Sequence, residues 1–204
     1  MDKEKRSTKE KILEEALTLF SERDYDGTGV DLIAAKVGIK GPSLYKHFKD
    51  KEDILNSILD ATEARYIEMF GSMEKIGKIP ENMEEFIQLN LKRISFTVTD
   101  PMVRKIRIFL TKEQFRNARL AEITSRHLFH DLHKINEEIN KEMQKKKLLK
   151  NGISEMISLE LTGAISLLIV KADRELEYRG EILADTEKYL RYFCEIHGKN
   201  IRNK

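Results

Sequence analysis

The sequence predicts an all-α fold, on three observations. Apolar residues recur at helical spacing in nearly every segment, no segment sustains the period-two alternation of a strand, and capping patterns precede several of the periodic stretches. The composition agrees. With 40% hydrophobic and 35% charged residues and only 3 prolines, the chain reads as soluble and helix-rich, not disordered. Its 204 residues suffice for a real core and for one or two domains.

The first helix opens on Ser7-x-x-Glu10, which spells a capping box, and carries Ile12, Leu13, Ala16, Leu17 and Phe20 on one face. It stops before the Asp24-Tyr-Asp-Gly27 turn. Two short helices are predicted at 30–37 and 41–47. Asp50 is the expected N-cap of a fourth, with Asp53 three residues on, running through Ile54, Leu55, Ile58 and Leu59 to Phe70. Gly71, Gly77 and Pro80 interrupt the pattern. The first three helices form a small bundle, and the fourth runs from it into a larger helical domain. The boundary, drawn between 52 and 53, therefore falls inside a helix and gives domains of residues 1–52 and 53–204.

In the second domain, Pro80 is expected to open a helix through Met83, Phe86, Ile87, Asn90 and Ile94, and Asp100-Pro101 another with Val103, Ile106, Phe109 and Leu110 inward. One long helix is predicted over 113–147, and helices at 153–176 and 180–198 close the chain. The 153–176 helix is apolar over a wide arc, so it must be covered on more than one side. Either it is central to its own domain, or it joins the last helix in a four-helix dimer interface. In the second case Ile157, Leu161, Ala164, Ile165 and Leu168 face Leu183, Thr186, Tyr189, Leu190 and Phe193.

Residues 29–48 carry the clearest chemistry. Leu32, Ile33, Ala34 and Val37 give the first short helix an apolar face. Gly38 stands where a sharp turn needs positive φ, and Pro42 falls in the first turn of the second helix, where a missing N–H is tolerated. Leu44 and Phe48 face inward, leaving Ser43, Tyr45, Lys46 and His47 outward. An apolar back with a short front of donors is what a helix needs in a DNA major groove. Net charge is only +2, yet residues 36–51 hold five lysines against one acid, so the basic character is local.

This segment resembles the DNA-binding motif of the TetR family of bacterial regulators, whose recognition region commonly reads small-Leu-Tyr-x-His-Phe with a following Lys. Here the residues are Ser43-Leu44-Tyr45-Lys46-His47-Phe48 and Lys51, preceded by Val30-Asp31-Leu32-Ile33-Ala34 and Val37-Gly38-Ile39. Two positions depart from the pattern: Gly29 and Lys40 stand where the family often has Ser or Thr. The resemblance implies an N-terminal helix-turn-helix bundle joined by a continuous helix to a ligand-binding and dimerisation domain. Its function would be a homodimeric, ligand-responsive repressor of a palindromic double-stranded DNA operator. Expected phosphate contacts are Thr28, Lys40, Tyr45, His47 and Lys51; expected base-edge positions are Gly41, Pro42, Ser43 and Lys46. The implied effector is a small, mostly apolar molecule. Its candidate contacts are Tyr66, Met69, Phe70, Phe86, Phe96, Met102, Phe109, Phe115, His127, Phe129 and His130.

Other classes compete. A helical adaptor could keep the motif without binding an operator, and Gly29 leaves room for that. A metal-dependent sensor or enzyme could use His127, His130 and His133, but no Glu-x-x-His, HExxH or Cys-x-x-Cys accompanies them, and histidines three apart rotate around a helix. No phosphate loop or Gly-x-Ser-x-Gly is present, so no catalytic residue, metal or cofactor is expected. The single cysteine, Cys194, has no intramolecular disulfide partner. The first ten residues lack an apolar signal core, and the longest apolar run, 161–170, is about half a membrane span. A cytoplasmic protein with no membrane partner is expected.

Overall fold

The computed structural model describes residues 6–70, 79–175, 177 and 179–199, apart from the side chains of 70, 127–129 and 179. Ten α-helices occur among them: α1 (Thr8–Glu22), α2 (Val30–Val37), α3 (Gly41–Leu44), α4 (Lys51–Phe70), α5 (Met83–Thr99), α6 (Pro101–Glu113), α7 (Ala118–Ser125), α8 (Leu132–Lys145), α9 (Ser154–Arg174) and α10 (Arg179–His197). No strand is present among the described residues; one isolated antiparallel bridge pairs Leu149 with Gly198.

Local chemistry sets most helix starts. The Ser7 hydroxyl accepts from Glu10 N–H and the Glu10 carboxylate accepts from Ser7 N–H, the predicted capping box. Asp50 accepts from Asp53 N–H at 2.8 Å and caps α4, while Asp53 reaches back one residue further and accepts from Lys49 N–H at 2.9 Å. α5 begins at Met83 rather than at Pro80, because the Asn82 side chain accepts from Glu85 N–H and forms the cap there.

The single helix expected over 113–147 is broken. α6 ends at Glu113, and Asn117 recaps the chain by accepting from the N–H groups of Arg119 and Leu120. α7 then passes through a π-helical stretch, Arg126–Asp131, into α8. The interruptions predicted at Gly71 and Gly77 lie outside the described residues.

The chain divides into two compact units: residues up to Met69 with Pro101–Ala121, and Phe70–Asp100 with Glu122 onward. In the first, α1 packs on both α2 and α6. Its core includes Ile12, Leu17, Phe20, Ile33, Leu44, Phe48, Ile54, Ile58 and Phe109. Phe20 and Phe109 stack at 5.5 Å, Lys105 Nζ donates to Thr18 Oγ1 at 2.8 Å, and Lys112 Nζ donates to the Ser21 carbonyl at 2.7 Å.

In the second unit, α9 is packed by α5, α8 and α10. Phe86, Ile94, Ile139, Met143, Leu161, Ile165, Leu190 and Phe193 form its core, with Phe86 stacked on Phe193 at 5.8 Å. The core holds polar groups. Asn136 Nδ2 donates to Thr162 Oγ1 at 2.9 Å, whereas among the described residues neither side-chain polar atom of the fully buried Asn140 has a hydrogen bond.

The expected dimer contacts divide by burial in this packing. Ile157, Leu161, Ile165, Thr186, Leu190 and Phe193 are buried inside their own unit, and Ala164, Leu168, Leu183 and Tyr189 are partly buried. A helix apolar on two sides has an inner and an outer arc; the buried residues belong to the inner one and the partly buried ones lie at its margin. The outer arc of α9 is Met156, Leu159, Gly163, Leu167 and Val170, all exposed. Tyr192 and Ile196 are exposed on α10.

Candidate nucleic-acid interface

The interface is built on α2, a tight turn and α3. Gly29 caps α2 with extended backbone and no side-chain bond. Gly38 ends α2 in the left-handed region, φ 79°, and the N–H groups of Gly38 and Ile39 close on the carbonyls of Ala35 and Ala34. A side chain with a Cβ would be strained at that φ, so the turn needs the glycine.

α3 is shorter than the predicted 41–47. Helical geometry covers Gly41–Leu44, with Pro42 in its first turn, and Tyr45 is the C-cap. The chain then continues as a turn in which His47 N–H and Phe48 N–H both donate to the Leu44 carbonyl, at 2.9 and 3.1 Å. Leu44 and Phe48 are buried, as their spacing predicts. They turn Pro42, Tyr45, Lys46 and His47 to the exposed side, with Lys40 exposed and Gly41 and Ser43 partly so. Tyr45 is 55% exposed, so its ring lies on the outer face and does not pack inward.

Two expected phosphate contacts have internal partners. Thr28 is fully buried and its hydroxyl donates to the Asp24 carbonyl at 2.8 Å. Lys51 is partly buried; its Nζ donates to the Tyr25 carbonyl at 2.7 Å and sits 4.2 Å from the Tyr25 ring centroid. Burial, with Glu52 nearby, raises the Tyr25 phenol above its ordinary pKa.

The expected effector residues fall in both units. Phe109 is buried in the core of the first, Tyr66 and Met102 are partly buried there, Met69 is exposed, and Phe115 is 89% exposed in the turn after α6. Phe86 is in the core of the second unit, Phe96 is partly buried and His130 is exposed. The side chains of Phe70, His127 and Phe129 lie outside the described residues. Two open clefts on the second unit, one along α10 around Arg191 and one between α5 and α10 around Leu91 and Leu183, contain none of these residues.

His133 lies with Ser158, whose hydroxyl donates to the His133 carbonyl at 2.7 Å. Among the described residues no three His, Cys, Asp or Glu side chains are grouped as a metal site, and no helix is long and apolar enough to cross a membrane.

An apolar-backed recognition element behind a left-handed glycine turn, in a helical bundle, defines a helix-turn-helix DNA-binding protein. Residues 12–58 match the model of the bacterial regulatory proteins, tetR family. The biofilm operon icaADBC HTH-type negative transcriptional regulator IcaR of Staphylococcus epidermidis is 30% identical over 145 residues, covering 53% of this chain and 76% of the relative. The IcaR of Staphylococcus aureus is 31% identical over 156 residues, covering 59% and 82%. The chain belongs to the TetR family of transcriptional regulators.

Among solved structures, SmeT in complex with triclosan aligns with a TM-score of 0.78 at 17% identity, covering 96% of this chain and 94% of that one. SmeT, the repressor of the Stenotrophomonas maltophilia multidrug efflux pump SmeDEF, aligns in a second structure with a TM-score of 0.70, covering 96% and 93%. At that identity the likeness is one of fold.

Proposed function

We propose that the protein is a cytoplasmic, homodimeric repressor without catalytic activity. It holds a palindromic operator through α3 and the turn after it, and releases it when a small molecule binds within residues 53–204. The observation that carries the DNA reading is the exposed front of Lys40, Pro42, Tyr45, Lys46 and His47 over the buried Leu44 and Phe48. Lys40, Tyr45 and His47 take phosphates, and Gly41, Pro42, Ser43 and Lys46 lie against base edges. Thr28 and Lys51 hold the turn before α2 and the start of α4.

Repression is supported by the relatives, since IcaR is a negative regulator and SmeT a repressor. An effector is supported by the triclosan complex of SmeT. The proposed dimer face is the outer arc of α9 with Tyr192 and Ile196. Met156, Leu159, Gly163, Leu167 and Val170 are spaced three or four apart and make an apolar seam left open by the subunit's own packing. Two heads related by a two-fold axis would read half-sites about 34–36 Å apart, or a multiple of that. The effector acts by binding one head spacing better than the other.

The test is titration of the DNA flanking the protein's own gene across a salt series, with Tyr45→Ala and Lys46→Ala alongside. Tight binding that weakens steeply with salt is expected, and both variants should lose affinity while keeping their helical content. Full affinity in both would overturn the assignment.

A further inference from the structure

Residues 28–49 hold four lysines and a single acid, Asp31. Asp31 lies in the first turn of α2 and is exposed. No hydrogen bond or ion pair engages its carboxylate among the described residues. Its Oδ1 lies 3.0 Å from the position a Cβ on Gly41 would occupy, so the carboxylate rests against the first residue of α3 and the glycine leaves it room. In a helix-turn-helix, the N-terminal residues of the second helix are the ones that meet base edges. Asp31 shares that edge.

We infer that Asp31 is a specificity-determining residue that accepts a hydrogen bond from the N4 amino group of a cytosine in the major groove. The inference rests on the DNA-binding reading above. An ionised carboxylate offers only acceptors and is repelled by phosphate, so at this surface it weakens binding to DNA in general. The major-groove group that offsets the repulsion is an amino donor. Adenine shows its amino group beside the N7 acceptor, which suits a side-chain amide and opposes a carboxylate. Cytosine shows the N4 donor, which a carboxylate matches. Gly41 leaves the carboxylate its place beside α3, where a methyl group would meet Oδ1 at 3.0 Å.

The test is selection from a randomised duplex library by the full-length protein, wild type, Asp31→Asn and Asp31→Ala. It is followed by titration of the selected duplexes at fixed salt and thermal melting of each variant. The wild type should hold one position of each half-site as C·G. Asp31→Asn should move that position to A·T, changing the ratio of the two affinities by about tenfold. Asp31→Ala should lose the preference there and bind random duplex more tightly.

An acid in a first turn also favours its helix dipole. If that is all Asp31 does, the Asp31 variants will melt lower, and every duplex will weaken together with no change of preferred base. That result overturns the inference, as does selection of the wild-type site by both Asp31 variants. A wild type that selects no sequence overturns the DNA-binding reading itself, and this inference with it.

Discussion

Lys51 grips Tyr25 at both ends: its Nζ donates to the Tyr25 carbonyl at 2.7 Å and stands 4.2 Å from the centroid of the same residue's ring. One side chain thereby fixes the turn between α1 and α2 to the start of α4, just beyond the recognition turn. Lys51→Met should lower stability by about 1–2 kcal/mol, read from urea unfolding. The salt dependence of DNA binding should change little if the ammonium stays on Tyr25, and a slope lower by about one would show that it also meets a phosphate.

Asn140 should be a weak point that can be repaired. It is fully buried, and among the described residues neither its Oδ1 nor its Nδ2 has a hydrogen bond. An amide in that position costs its desolvation with nothing in return. Asn140→Leu is expected to raise the unfolding free energy by about 1 kcal/mol. The same change at Asn136, whose Nδ2 donates to Thr162, should lower it.

The two arcs of α9 should respond differently. Leu161 is 1% exposed and Leu167 is 70% exposed. Leu161→Ala should cost about 2–5 kcal/mol of stability through the cavity it leaves. Leu167→Glu should leave each subunit folded and shift the protein to monomer in sedimentation velocity. A dimer that survives Leu167→Glu, together with Leu159→Glu, would place the interface elsewhere.

Cys194 should be chemically quiet. Burial pushes its thiol up to about 11, and Glu84 adds to the rise. At pH 7 only about one molecule in ten thousand then carries the thiolate, so a disulfide reagent should label the native protein slowly and the urea-unfolded protein fast. The sign for stability follows. The native state keeps its proton where the unfolded thiol has lost it, so stability falls as pH rises from about 9 to about 11, and none of that loss is felt at neutral pH.

The parts of the fold that local chemistry determines were legible in the sequence. Ser7 with Glu10, Asp50 with Asp53, and Gly38 in its turn each act within a few residues of themselves. Asn82 with Glu85, and Asn117 before α7, carried the same kind of signal, and reading them as caps would have corrected the start of α5 and the break after α6. The sidedness of α9 was not legible. Leu161 and Leu167 are the same residue type on one helix, and only packing against α5, α8 and α10 makes one core and the other surface. Of the site, Leu44, Tyr45, Lys46 and Phe48 followed from helical spacing. The internal engagement of Thr28 and Lys51 did not, because each depends on the path of the loop through Asp24 and Tyr25.

The stack of Phe20 on Phe109 has a bearing on how the chain first folds. Lys105 and Lys112 reach Thr18 and Ser21 across 87 and 91 residues of sequence, so the DNA-reading head completes its core with a helix made much later. During synthesis the first three helices can collect, but α1 keeps one flank bare until α6 has left the ribosome. Native order in the head is therefore a late event on a growing chain, and an early stop releases a fragment that displays apolar surface in place of a finished reading head.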